Sequence, residues 1–306
     1  MLFRWLRKRT DHSSWRFDGY QIIKLVHQGH KAEVYQARYQ QEEKIYALKL
    51  YSKKFDHDSR KMRRKYHLWT EGRVGKALNP TPADSQDDYP IVRTIDDGRE
   101  YDRSSGAYYV VQDFIVGNNL KSIVTVAPAK LEGLRFYIAN QIARALEIIH
   151  RRGFVYNDLC SDNVLLTNDN KVKLIDLGFV VPKGRRLHEK PGTPSYMSPE
   201  QIRAEKLMPS SDVYAFGVVM YELTTGRLPF GGAGRNADID PRARGMVMSQ
   251  HLSTTPRPPG QTGKDVPKPI EELIMKCLEK DPQKRPQDGR ALMIALHRLK
   301  DEVSDY

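Results

Sequence analysis

Between Tyr20 and Tyr51 short apolar runs alternate with polar turns: Tyr20-Gln21-Ile22-Ile23-Lys24-Leu25-Val26, Glu33-Val34-Tyr35-Gln36-Ala37 and Lys44-Ile45-Tyr46-Ala47-Leu48-Lys49-Leu50. Runs of this length and composition predict antiparallel strands. A charged segment over residues 57 to 78 predicts one helix, closed by Asn79-Pro80-Thr81-Pro82 because proline disfavours its continuation. Two more strands are expected near Ile91 to Ile95 and Ala107 to Phe114, with an acidic, glycine-containing turn between them. Beyond this point the period changes. Leu134, Tyr137, Ile138, Ile142, Ala145, Leu146 and Ile149 recur at helical spacing within Leu131 to Arg151, and helices are predicted again over Asp212 to Thr225, Ile270 to Glu279 and Gly289 to Leu299. Gly231 to Lys268, rich in Gly, Pro and Arg, reads mainly as loop with one short helix near Ala243 to His251. The pattern predicts an α+β chain, a small antiparallel β-lobe with one helix and then a larger, mainly helical lobe, joined near Ile115 to Asn118.

With 306 residues and 39% hydrophobic content the chain can bury a substantial core, and this length favours two lobes. The only cysteines, Cys160 and Cys277, are far apart in unlike contexts. They imply neither a disulfide framework nor a zinc site, and a reducing, cytoplasmic setting is expected. No apolar run approaches the ~18 residues of a membrane span. Met1 to Arg9 is too short in its apolar part for a secretory signal, but as a helix it would set Leu2, Trp5 and Leu6 beside Arg and Lys. Two readings stand for it: a weak membrane-surface or partner contact, or a frayed terminus. The net charge of +12 raises the question of nucleic acid. The excess sits in the first sixteen residues and between Lys53 and Lys65, without a recognition motif or aromatic platform, so a solvated helix face is expected instead.

The chemistry concentrates in three residues. Asp158 is followed five positions on by Asn163, and Asp176 stands in Leu174-Ile175-Asp176-Leu177-Gly178. A carboxylate, a carboxamide and a carboxylate in a strand-then-glycine turn supply one proton acceptor and two oxygen ligands for Mg²⁺.

Here the chain resembles the protein kinase family, from about Tyr20 to about Leu299. The family's H-R-D-x-x-x-x-N loop reads Tyr156-Asn157-Asp158 through Asn163, and its D-F-G reads Asp176-Leu177-Gly178. The resemblance implies a bilobal kinase-like fold: a basic extension over 1–19, an N-lobe over 20–115, a C-lobe over 116–300 and a tail over 301–306. It implies ATP with Mg²⁺, Asp158 as base, and Asn163 and Asp176 on metal. Lys49 resembles the strand lysine that neutralises the nucleotide's phosphates. Its expected partner is Glu71, the only carboxylate between residues 59 and 83. Val34, Ala47 and Leu165 are implied around the adenine, Gln112, Asp113 and Ile115 at the hinge with Gln112 as gate, and Gly29 at the phosphates. Gly192-Thr193-Pro194-Ser195-Tyr196-Met197-Ser198-Pro199-Glu200 resembles the G-T-x-x-Y-M-A-P-E segment, whose last carboxylate is expected to pair with Arg285.

The departures carry information too. The G-x-G-x-x-G frame reads His27-Gln28-Gly29-His30-Lys31-Ala32, keeping only the middle glycine. Cys160 stands where the Ser/Thr branch has a lysine. By analogy with removing one preorganised donor, the deficit is ~10²- to 10³-fold, which makes a slow enzyme rather than a dead one. Cys160 itself reads as filler or as a thiol sensor. Tyr156 replaces a histidine and is expected to use its hydroxyl toward Asp212. Asn157 replaces the arginine that grips an activation-loop phosphate, and Phe179 to Pro191 has no Ser, Thr or Tyr to carry one. Lys183, Arg185, Arg186 and Lys190 read as a preference for acidic substrates or as a solvated run. The implied function is ATP-dependent transfer to Ser/Thr hydroxyls of proteins, not gated by activation-loop phosphorylation. The alternatives are a pseudokinase acting as a nucleotide-binding or scaffolding module, and a small-molecule kinase.

Overall fold

Alternation in Tyr46-Ala47-Leu48-Lys49-Leu50 becomes a strand with two unlike faces: Tyr46, Leu48 and Leu50 are buried, while Ala47 and Lys49 stay partly open. In the computed structural model the described residues are 16–17, 19–29, 31–40, 42–84, 88–99, 107–231 and 240–303. The expectations for residues 1–9, for most of the extension and for 304–306 lie outside them.

The first unit comprises the described residues up to Asn79 together with Val92–Ile115. Strands β1 (Arg16–Phe17), β2 (Tyr20–Gln28), β3 (Ala32–Tyr39), β4 (Ile45–Tyr51), β5 (Thr94–Arg99) and β6 (Tyr108–Asp113) form an antiparallel sheet in the order β1-β2-β3-β4-β6-β5. Tyr20, Ile22, Tyr35, Ala37, Leu48, Tyr109 and Val111 pack on one face as the core. The register pairs Val34 with Lys49, Gln36 with Ala47 and Ala47 with Gln112, so Val34, Ala47 and Lys49 share the other face.

The charged segment forms two helices rather than one: α1 (Lys53–Tyr66), capped by Ser52, and α2 (Glu71–Leu78), capped by Thr70. His67 turns into the left-handed region at φ 51°, and the Thr70 side chain then accepts from Arg73 N at 3.2 Å to start the second helix. Thr70 was the available sign of that restart. Two glycines in α2 cost helix propensity but allow close approach: a Cβ on Gly72 would collide with Asp97, and one on Gly75 would lie 1.9 Å from Thr94 Oγ1.

The strand expected at Ile91 to Ile95 begins instead at Thr94, because Ile91 is engaged elsewhere. It bridges Leu174 in parallel, and Leu174 N donates to Pro90 O at 2.7 Å. Both lie in the second unit, Pro80–Ile91 with the described residues from Val116 on. That unit contains β7 (Gly117–Asn119), β9 (Val164–Thr167) and β10 (Val172–Leu174) in a small sheet, with β8 (Phe154–Val155) paired to β11 (Val181–Pro182). Its helices are α3 (Leu120–Val126), α4 (Arg135–Arg151), α5 (Pro199–Ile202), α6 (Pro209–Thr225), α7 (Pro241–Ser253), α8 (Lys268–Cys277) and α9 (Gly289–Val303). Helix α6 is buried on all sides from Ser210 to Thr225 and forms the unit's axis. The short helix expected near Ala243 to His251 is the thirteen-residue α7.

Gly289 opens α9 against the backbone of α4, where a Cβ would lie 2.2 Å from Glu147 N. Gly289→Ala is therefore expected to destabilise the fold by about 1–3 kcal/mol, read as a lowered urea midpoint, although alanine is the better helix former. Among the described residues no helix is long and apolar enough to cross a membrane.

Candidate active site

In the first unit Lys49 projects from the middle of β4, 13% exposed in its side chain, and its Nζ lies 3.3 and 3.2 Å from the two oxygens of Glu71. Glu71 opens α2, where the helix N-terminus favours a carboxylate, and its side chain is 2% exposed. The Tyr51 hydroxyl also donates to Glu71, and Lys49 Nζ lies 5.2 Å from the Tyr51 ring centroid. The pairing reached by elimination is thus formed, with a tyrosine partner that the sequence did not signal. Gly29 turns β2 into β3 with its N–H bonded to Ala32 O at 3.0 Å, and Glu33 ties the strands by accepting from Gln28 and Tyr35. Gln112 is buried and donates to Thr94 Oγ1 at 3.4 Å, while Asp113 pairs with Lys44 and Arg93. Ile115 follows β6 at the end of this unit.

In the second unit Asp158 sits in the loop after β8, 5% exposed. Its Oδ1 accepts from Thr193 N at 2.8 Å and from Thr193 Oγ1 at 2.9 Å. Asn163 Nδ2 donates to Asp158 O at 2.9 Å and lies 3.3 Å from Oδ2. With the amide nitrogen so committed, the Asn163 oxygen is turned away from Asp158. Asp176 is left-handed at φ 57°, its Oδ1 accepting from Gly178 N at 3.3 Å. Ile175 fastens the turn before it to the Asp158 loop: its N donates to Asn163 O at 2.9 Å, and its O accepts from the Tyr156 hydroxyl. A carboxamide oxygen and a carboxylate are hard oxygen donors of the kind Mg²⁺ takes, so these residues fit the ion. Leu165, on β9, is partly buried.

The expectation for Tyr156 needs correction. Its hydroxyl goes to Ile175 O, and Asp212 is met instead by main-chain N–H groups, from Tyr156 at 2.7 Å and Asn157 at 2.8 Å. A third donor is His150. Its Nδ1 accepts from Gly289 N at 2.9 Å, so the proton is on Nε2, which donates to Asp212 at 2.8 Å. A loop held through backbone amides accepts Tyr where the family has His.

Cys160 is buried with its thiol pushed well up, by burial first and then by Asp158 and Asp162. That is the setting of an inert space-filler rather than a sensor. Ser195 is buried, and its carbonyl accepts from His251 Nε2 at 3.1 Å. The other nitrogen of His251 therefore accepts from Tyr214, whose oxygen also receives Lys280 Nζ at 3.3 Å. Burial, aided by Lys280 and opposed by the Ser195 bond, lowers His251 to about 3. Because the unfolded chain takes up this proton near pH 6.5 and the folded chain does not, the contribution is complete above pH 6.5. It is lost as pH falls from there toward 3, by up to about 1.4 kcal/mol per pH unit. Urea unfolding of wild type and His251→Gln between pH 7 and pH 4.5 should show a steeper pH slope for wild type.

A protein kinase domain model matches residues 20–297. This chain, with the β-sheet unit carrying Lys49 and Glu71 and the helical unit carrying Asp158, Asn163 and Asp176, belongs to the protein kinase family. It is 26% identical over 287 residues to a probable serine/threonine-protein kinase of Clostridium perfringens, covering 92% of this chain and 38% of that protein. Serine/threonine-protein kinase pkn3 of Myxococcus xanthus is 28% identical over 297 residues, 92% of this chain and 50% of that protein. Serine/threonine-protein kinase PknB of Mycolicibacterium smegmatis is 30% identical over 223 residues, 68% and 34%. The chain spans half or less of the length of these relatives. Kinase domains of this family in general use ATP and Mg²⁺ and act on proteins.

Proposed function

We propose that this chain transfers the γ-phosphoryl group of ATP to serine or threonine hydroxyls of protein substrates. The observation that carries this reading is the setting of Asp158: one oxygen is fixed by the Thr193 amide and hydroxyl, and the loop is pinned beneath it by Asn163 and Asp212. In this role Asp158 takes the proton of the acceptor hydroxyl as that oxygen attacks the γ-phosphorus and the bond to the β-phosphate oxygen breaks, releasing ADP. Lys49, held by Glu71, neutralises the α and β phosphates. Val34 and Ala47 on their shared face serve the adenine together with Leu165, Gln112, Asp113 and Ile115 serve as hinge, and Gly29 serves the phosphate end. Asn163 and Asp176 are the protein's ligands to Mg²⁺, which when bound neutralises phosphate charge.

Activity on this reading needs no phosphate on the segment that starts at Phe179. Asn157, left-handed at φ 68°, donates to Phe179 O at 3.3 Å, and its side-chain and main-chain oxygens both accept from Gln201 Nε2 at 2.8 Å. One neutral carboxamide thus ties the start of the segment at Phe179 to Gln201 of α5, where a charged grip on phosphate would otherwise be required.

ATP at 100 times its Kd should stabilise the fold by about 2.7 kcal/mol, with a thermal shift that depends on Mg²⁺. Labelled phosphate should appear on Ser or Thr of a protein acceptor at a rate unchanged by prior phosphatase treatment. A shift without transfer indicates the pseudokinase, and a rate that falls after phosphatase treatment overturns the ungated reading.

A further inference from the structure

Beside Thr193, and so one residue away from the proposed base, lies a pocket of about 470 Å³. Lys121, Ser122, Asp162, Thr193, Ser195 and Tyr196 are among its walls. A polypeptide whose hydroxyl meets Asp158 has to lay a neighbouring side chain here. Behind Lys121 stands a carboxylate that the phosphoryl-transfer reading does not use. Glu222, on the axial helix α6, accepts from the hydroxyls of Ser161 and Tyr196 and from the ammonium of Lys121. Its side chain is 2% exposed and that of Lys121 35%. A glutamate with two hydroxyl donors and one open side is a cation site, and Lys121 fills that side from within the chain.

We propose that Lys121 is a specificity-determining residue, a built-in occupant of a cation site in the substrate pocket that denies the chain any preference for arginine or lysine flanking the acceptor hydroxyl. The proposal rests on the protein-kinase reading given above. A substrate cation entering the pocket has to displace an ammonium already ion-paired with Glu222 and meets the positive stem end of Lys121, while Asp162, on the exposed rim, already accepts from Asn119 at 3.3 Å. The wild-type pocket therefore takes neutral side chains, small polar or apolar, against Ser122, Tyr196 and the Thr193 wall. Once Lys121 is gone, Glu222 faces the pocket as an anion with no cation of its own, and a substrate guanidinium completes it.

The test uses Lys121→Met, which keeps the aliphatic stem, with peptides carrying Arg, Ala or Glu at each position around a Ser or Thr acceptor. Wild type should give an Arg-to-Ala ratio of kcat/KM no greater than one at every position. Lys121→Met should raise that ratio about tenfold at one position, with a gain that shrinks as salt rises. Adding Glu222→Gln should return the ratio to the wild-type value. An unchanged profile in Lys121→Met, an arginine preference already present in wild type, or a preference that survives Glu222→Gln each overturns the proposal. Anisotropy of a labelled arginine peptide, measured without nucleotide on variants checked by melting, reads the same site when no phosphate is transferred. Tighter binding to Lys121→Met there supports the pocket assignment while absent turnover sinks the kinase reading, and equal binding sinks the pocket assignment.

Discussion

Asp158→Asn is expected to lower phosphoryl transfer by about 10²- to 10⁴-fold while the melting temperature and the ATP-induced shift stay close to wild type. The local bonds say why the fold survives. Oδ1 accepts twice from Thr193, so the new amide keeps its oxygen there and places its NH₂ where Oδ2 stood. That NH₂ meets the Asn163 NH₂ at the former 3.3 Å contact, but Asn163 retains its 2.9 Å bond to the Asp158 carbonyl. What is lost is the proton acceptor alone. A loss shared equally by kcat and kcat/KM marks an interaction made only in the transition state. If Asp158→Asn keeps more than about a tenth of the wild-type rate, the base is another group and the role assigned here is wrong.

How far the sequence discloses this site depends on what kind of bond holds each residue. Lys49 with Glu71 and Glu200 with Arg285 are side-chain pairs whose chemistry needs those residue types, so elimination and motif reading found both. The grip on Asp212 is different in kind. Two of its three donors are main-chain N–H groups that any non-proline residue supplies, and the third, His150, ends a helix where nothing in the spacing marks it. Thr193 was legible only as the threonine of the Gly192-to-Glu200 motif, and its two bonds to Asp158 depend on how the segment after Pro191 returns to the loop, which is a tertiary fact. Helical periodicity found the long helices because their burial repeats with the turn. It ran residues 57 to 78 together because a left-handed His67 and a capping Thr70 interrupt the helix without interrupting the charge pattern. The strand at Ile91 was misplaced for a similar reason, an apolar residue pairing with Leu174 rather than with its nearer neighbours.

The largest stability effect is expected at Arg285, whose side chain is fully buried against a Glu200 that is 5% exposed. Nη1 donates to Glu200 Oε1 at 2.7 Å and to Ser210 O at 2.9 Å, Nη2 to Glu200 Oε2 at 3.1 Å and to Lys280 O at 3.2 Å, and Nε to Glu279 O at 2.7 Å. Every N–H of the guanidinium is used, and one side chain ties the end of the segment containing Pro199 to α6 and to the loop after α8. Arg285→Ala strands a buried carboxylate and three carbonyls, and is expected to cost about 3–5 kcal/mol, a large share of the ~5–15 kcal/mol that holds a domain folded. Arg285→Lys keeps the charge but offers three donors from one point, so it should recover only part of that loss. The decisive comparison is the pair Glu200→Gln with Arg285→Met: removing both charges together should cost less than Arg285→Ala alone, because the penalty comes from the uncompensated anion rather than from the loss of a favourable pair. Chemical denaturation of the four proteins measures this directly. If the double variant is as unstable as Arg285→Ala, the carbonyl contacts rather than the ion pair hold this corner together.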